Sequence, residues 1–379
     1  MISINAIKLD NILLSLYVAL NFADRKIAYF FLIALLLKCI YNYFFISKNK
    51  HSNIILAVGL FSAWISLSAY INNVPLHELD NYFRFLLLLP LLFINLKNTN
   101  LQGIIFFSFI FAGLNLIYTY STSSPLRYTG TSNNAITYAS MCSVMILLCF
   151  YDLINKKYKS SYLATYGVVI VFFTFCIVLT ESRGPILGLI PSVLAMFIIY
   201  RNFRALPIII ISILLVSFTN NPISERFERL SIMKDISKDN INQIQYASMR
   251  ERLIYNIYGL ETLKENFIFG IGAHNVEADL SDYVNKKQLN AFPRDHLHND
   301  FLDISVKFGL PSLIFLILIY YFIIKNNSKR ERIGIIFSLI LFLLISQLTQ
   351  SQFAHSQITT IIITLMYVFS SYGKTNKIN

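Results

Sequence analysis

Apolar residues run through this chain in blocks about as wide as a lipid bilayer, separated by short polar clusters. A membrane-spanning helix needs about 20 mostly apolar residues. Blocks of that width fall near 6–22, 27–46, 53–71, 81–96, 102–120, 134–152, 162–180, 184–200, 205–219, 297–324, 333–349 and 355–371. Twelve spans are expected, give or take one or two. No stretch alternates as a barrel strand would, so the pattern predicts an all-α polytopic bundle. The chain divides into nine spans over 1–219, a long polar segment over 220–296, and three spans with a polar tail over 297–379. The first block has no basic segment before it and no small-residue cleavage site after it, and reads as a retained span.

Composition agrees. Hydrophobic residues make up 55% of the chain and charged residues 14%, with a mean hydropathy of +0.57. A soluble domain carries about 25% charged residues. The net charge of +12 would suit nucleic acid, but the charges stand in clusters between apolar blocks, as loops flanking spans do. All four cysteines lie inside apolar blocks, which offers neither a disulfide framework nor a spaced metal site.

Lysine and arginine gather at alternate junctions: Lys48 and Lys50, Lys97, Lys156 to Lys159, Arg201 and Arg204, Lys325 to Arg332, then Lys374 and Lys377. The positive-inside rule puts these junctions and both termini in the cytoplasm. The long polar segment is then outside, which in a Gram-negative inner membrane is the periplasm.

A few arginines break the pattern by standing at outer ends of spans: Arg84, Arg127, Arg183, and Arg250 and Arg252 in the long segment. Arg84 either snorkels to headgroups or serves a site. Arg127, in RYTGTSNNA, either anchors a turn or binds substrate. Arg183 occupies the polar hinge TESRGPILG, where its planar fork suits phosphate or carboxylate. Arg250 and Arg252 open a stretch with apolar residues at Leu253, Ile254, Ile257, Leu260 and Leu263, helical spacing that ends at Gly270-Ile271-Gly272. They are either a solvated charge cluster or an anion site at a helix start.

The run DHLHNDFL, from Asp295 to Leu302, sets two histidines and two acids where the polar segment meets an apolar helix. Ionisable groups at such a boundary mark a functional site by default. His296 and His298 read as metal ligands only weakly, since on a helix side chains two apart diverge and no further His or Cys cluster supports them. His298 is either a structural histidine at the helix start or a general base accessible from the membrane surface. Asp303 and Lys307 are spaced to pair along the helix.

The hinge Thr180-Glu181-Ser182-Arg183-Gly184, the stretch from Arg252-Leu253 to Phe269-Gly270-Ile271-Gly272, and His298-Asn299 followed by Gly309 together resemble the O-antigen ligase and polymerase superfamily. Order, spacing and the single large outer segment match along essentially the whole chain. RFERL, SMRERL and HLHND look closest to the enterobacterial ligase branch. Two positions depart from the family pattern: Ser312 stands where Gly, Thr or Tyr is usual, and Asn256 where tryptophan is frequent.

The resemblance implies a GT-C-like glycosyltransferase at the periplasmic face. It would move a polysaccharide from undecaprenyl diphosphate to lipid A-core among inner-membrane lipids, without metal, cofactor or ATP and without nucleic acid. His298 would be the base, and Arg183 and Arg252 would stabilise charge on the leaving diphosphate, with Arg127, Arg250, Arg84 and Asn299 as further substrate contacts. A polymerase joining lipid-linked repeat units remains the alternative, ahead of a transporter, which should show internal repeats and mid-bilayer charges. A structural scaffold gives no reason for the arginines to gather at one face.

Overall fold

Where an apolar block meets Pro, Gly or a polar cap, its helix stops, and these stops shape the molecule. The computed structural model describes residues 2–46, 51–94, 101–123, 128–132, 134–155, 160–202, 247–327, 330–353 and 355–371. Among them every regular element is helical. The first half runs α1 (Ile2–Leu20), α2 (Arg25–Ile46), α3 (Ser52–Ile71), α4 (Asp80–Leu87), α5 (Leu101–Thr122), α6 (Ala135–Asn155), α7 (Ser160–Leu179) and α8 (Gly184–Tyr200). Then follow α9 (Ala247–Glu265), α10 (Val276–Lys286), α11 (Asp300–Phe308), α12 (Leu310–Lys325), α13 (Arg330–Thr349) and α14 (Ser356–Ser371).

Within α2, α3, α5, α6 and α7 lie stretches long and apolar enough to cross a membrane, and α1, α8, α12, α13 and α14 add shorter apolar stretches. The chain is a multi-pass membrane protein. α6 and α14 are buried nearly all round and form the centre of the bundle. α2 and α5 turn Phe30, Phe44, Ile117 and Tyr118 outward.

Two expected spans are interrupted. The block 81–96 is α4 followed by a 3-10 turn, Leu89–Phe93, because Pro90 has no N–H to donate and its ring obstructs the preceding turn. The block 297–324 divides at Gly309, whose φ of 81° no helix allows. The block 205–219 lies outside the described residues.

Alternate helix ends meet at one end of the bundle. There Gln357 Nε2 donates to Asn21 O, Arg25 to Ser356 Oγ, and Tyr128 N to Leu179 O. At the opposite end Asn202 Nδ2 donates to Ile154 O and Asn327 Nδ2 to Ser370 Oγ. The first set collects the junctions that charge placement assigns to the outside.

α9, α10 and α11 build a small second core over that end, from Ile254, Tyr255, Tyr258, Val276, Leu280, Leu297 and Val306. α9 forms where the spacing predicts a helix, and it packs with a different face from the one the spacing marks. Ile254, Tyr255, Tyr258 and Gly259 are buried, whereas Leu260 is 56% exposed. The shift follows from Gly259, where a Cβ would come within 2.6 Å of Leu302, and from tyrosine hydroxyls that find partners, Tyr258 on Asp279 at 2.8 Å and Tyr255 on Phe292 O.

Residues 267–272 cross the end of α11 at backbone distance. Ile271 N donates to Val306 O at 2.9 Å, Gly272 N to Lys307 O at 3.0 Å, and Leu310 N to Phe267 O at 2.9 Å. A Cβ on Gly309 would lie 1.6 Å from Ile268 O, so the crossing requires glycine there on both space and φ. α3 fastens it to the bundle: Trp64 Nε1 donates to Phe308 O, and Ser68 Oγ and Asn72 Nδ2 both donate to Phe269 O.

Asp303 and Lys307 pair as their spacing predicts, at 2.8 Å, with side chains 4% and 8% exposed. Removing one member of such a pair leaves an uncompensated charge, at a cost of about 3–5 kcal/mol. Lys307→Ala is expected to lose about that much stability in detergent, and Asp303→Leu with Lys307→Leu clearly less. Denaturant unfolding of the two variants decides the matter, and equal losses would show that the stranded charge is not the cause.

Candidate functional site

Two backbone anchors hold the turn that carries the histidines. Leu297 is buried, and its N–H donates to Asp303 Oδ1 at 3.0 Å. Asn299 caps α11, its Oδ1 accepting from Leu302 N at 3.3 Å. Its Nδ2 donates to Asn256 Oδ1 at 3.3 Å, and Asn256 in turn donates to Arg252 O at 2.9 Å. Between these anchors His298 adopts φ 55°, a left-handed conformation costly for a residue with a side chain.

The His298 ring stacks on Tyr255 with centroids 6.0 Å apart and meets His296 edge-on at 4.6 Å. Neither of its nitrogens takes a hydrogen bond among the described residues. The expectation that the two histidines diverge on a helix is corrected here. α11 begins after the Asn299 cap, so both histidines precede it and the left-handed turn folds their rings together. His296 Nδ1 pairs with Asp295 Oδ1 at 2.6 Å, and that hydrogen bond holds the Asp295 carboxyl down at about 2.

Burial pushes the His298 pKa down to about 3, and the positive charges of His296, Arg252, Arg294 and His355 push the same way. The ring is therefore neutral at pH 7, with a lone pair available.

Arg252 stands in the second turn of α9, half-buried, and its guanidinium has neither ion pair nor hydrogen bond among the described residues. Burial without a partner pulls its pKa below the usual value, yet an arginine stays charged. Arg250 faces the loop after α10, donating from Nε to Asn290 O at 2.7 Å. Arg84 is 7% exposed on α4, paired through Nη2 with Asp80 at 3.0 Å, while its buried Nη1 has no partner among the described residues. Arg183 precedes α8 in a hinge where Glu181 takes φ 52°. Tyr128 N donates to Leu179 O, which docks the RYTG turn on that hinge, while Arg127 itself lies outside the described residues. The structure thus brings Arg252 to His298, uses Asn299 as a cap, and sets Arg84 and Arg183 on other junctions at the same end.

Sequence reasoning missed three contributors, His355, Arg25 and Arg294, and offered Asp300 only as a group that could orient the His298 ring. Asp300, 1% exposed, accepts Phe353 N at 3.1 and 3.3 Å, which seats the turn before α14 on the start of α11. That turn carries His355, whose pKa burial and then His296 depress to about 4. Arg25 reaches Ser356 Oγ at 2.5 Å. Arg294, four residues before His298, adds a further cation. The signals were present: SQLTQSQFAHSQ is a dense polar run between two apolar blocks, and Arg25 breaks the positive-inside pattern as Arg84 does.

A neutral imidazole beside an unpaired guanidinium can take a proton from a hydroxyl while an anion is held next to it. Arg252→Ala removes one of the charges that depress His298, so the His298 pKa should rise toward the ordinary 6.5. Histidine-selective ¹⁵N NMR across pH 3–8 measures this, and an unchanged titration would separate Arg252 from the ring.

Residues 167–317 match the family described as O-antigen ligase. That segment runs from within α7 into α12 and includes Arg183, Arg252 and His298. An uncharacterized protein of Haemophilus influenzae is 29% identical over 290 residues, covering 69% of this chain and 70% of that protein.

Proposed function

We propose that this chain, whose residues 167–317 match the O-antigen ligase family, is the ligase that attaches O-antigen polysaccharide to lipid A-core. The family supports ligase- or polymerase-type action on lipid-linked polysaccharide. The donor is polysaccharide on undecaprenyl diphosphate, presented at the periplasmic face of the inner membrane. The observation that carries the reading is His298, neutral in a left-handed turn, with Arg252 near enough to act on it and neither side chain hydrogen-bonded among the described residues.

In the reaction a core-sugar hydroxyl attacks C1 of the transferred glycan. The new bond runs from acceptor oxygen to C1, and the bond from C1 to the diphosphate oxygen breaks with its electron pair leaving on phosphate. His298 takes the hydroxyl proton and releases it to water. Arg252 and Arg183 hold the charge that grows on the diphosphate, stabilisation that acts most strongly in the transition state. A pKa near 3 makes a weak base; burial is the larger cause, and the incoming diphosphate raises the value by offsetting the positive charges that add to it.

His298→Ala should insert and fold normally yet lose about 10²–10⁴ in transfer rate, the usual worth of a positioned base. Arg183→Lys keeps charge but loses the fork, and full activity there would count against bidentate phosphate binding. The sign of the pH dependence follows from the depressed pKa. In free enzyme the base stays neutral far below pH 6.5, so the acid limb of kcat/KM lies low, whereas bound diphosphate raises the pKa and moves the limb of kcat upward. A deletion strain on a lipopolysaccharide gel separates the readings. Loss of all attached O-chain with lipid-linked polymer retained indicates a ligase, and a single attached repeat unit indicates a polymerase. Activity should persist in EDTA.

A further inference from the structure

Asn134 fixes the proton of His355. Ahead of α6 the Asn134 Oδ1 accepts from Ile136 N at 2.9 Å and Thr137 N at 3.3 Å, which sets the orientation of the amide. Its Nδ2 then lies 3.3 Å from His355 Nε2. An amide nitrogen only donates, so Nε2 accepts and the neutral ring carries its proton on Nδ1. Protonation would turn an Nε2–H against the Asn134 N–H group, and burial and His296 oppose the cation as well, with Asp295 the one neighbour favouring it.

The Nδ1–H has no acceptor among the described residues. Its position is nonetheless fixed from three sides. Asp300 holds Phe353 N, Arg25 holds Ser356 Oγ, and the His355 N–H donates to Gln352 O at 2.9 Å. His355, on the turn before α14, and Arg252, on α9, both stand near enough to His298 to influence its titration. Among the described residues, one is a charged donor without a partner and the other a neutral donor without a partner.

We propose that His355 donates a hydrogen bond through Nδ1 to an oxygen of the transferred glycan, while Arg252 holds the diphosphate. This rests on the glycosyl-transfer reading above. A donor locked neutral offers a directed dipole without charge, which suits hydroxyl and ring oxygens, while the arginines serve phosphate. RYTGTSNNA acquires a role through the same contact, since its Asn134 sets the tautomer.

The test uses the full-length protein in nanodiscs with two probes, undecaprenyl diphosphate bearing an oligosaccharide and bare undecaprenyl diphosphate. In H355N the amide nitrogen occupies the place of ring Nδ1, in H355Q that of Nε2, and H355F has neither. Wild type should gain more thermal stability from the glycan-bearing probe than from the bare one. H355F and H355Q should lose that extra gain and show a donor KM raised about tenfold, as the loss of one hydrogen bond predicts. H355N should keep the gain and stay within about threefold of wild-type KM. The proposal is overturned if the two probes stabilise wild type equally, if H355F keeps the extra gain, or if H355N is no better than H355Q. It is also overturned if H355F loses its response to bare undecaprenyl diphosphate, which would assign the contact to phosphate. A wild type that shows the glycan-dependent gain but transfers nothing supports the contact and refutes the ligase reading.

Discussion

Asp303 is a buried carboxylate with work for both oxygens. Oδ1 accepts Leu297 N and fixes the turn that carries His296 and His298, while Oδ2 takes Lys307 at 2.8 Å and faces the Tyr82 hydroxyl of α4 at 3.5 Å. Burial opposes the charge on Lys307, and Asp303 outweighs it, leaving the ammonium harder to deprotonate than usual. Charge in such a place persists only when fully partnered. The left-handed turn at His298 therefore inherits its stability from an ion pair one helical turn inside α11 and from a contact to the bundle.

The second constraint is steric. The end of α11 crosses residues 267–272 so closely that the backbones exchange hydrogen bonds, and α3 ties both strands of the crossing down through Trp64, Ser68 and Asn72. The outer core of α9–α11 is thereby attached to helices that span the membrane. In the proposed ligase a base at the bilayer surface needs such an attachment, because its distance to a lipid-borne substrate depends on depth as well as on lateral position. The Asp300 contact to Phe353 adds a third tie and closes the wall with His355.

Much of this was legible in the chain. Apolar block width gave the helices, and charge placement collected the outer junctions that the hydrogen bonds later joined. The Asp303–Lys307 pair and the presence of a helix at α9 followed from spacing alone. What failed did so for local reasons: Pro90 and Gly309 cut blocks that hydropathy averages over, and tyrosines with hydroxyl partners outcompeted Leu260 for the buried face of α9.

Hydropathy and helical spacing are properties of neighbours along the chain, so the sequence by itself determined the membrane bundle, the outer segment and the candidacy of His298, Arg252 and Arg183. Convergence is a property of pairs far apart in the chain. Asp300 with Phe353, Asn134 with His355, and Trp64 with Phe308 are each separated by more than fifty residues and have no mutual periodicity. Only tertiary packing could bring His355 to the His298 turn, fold the two histidine rings together and leave Arg252 without a partner among the described residues, because each outcome depends on which buried polar groups satisfy one another.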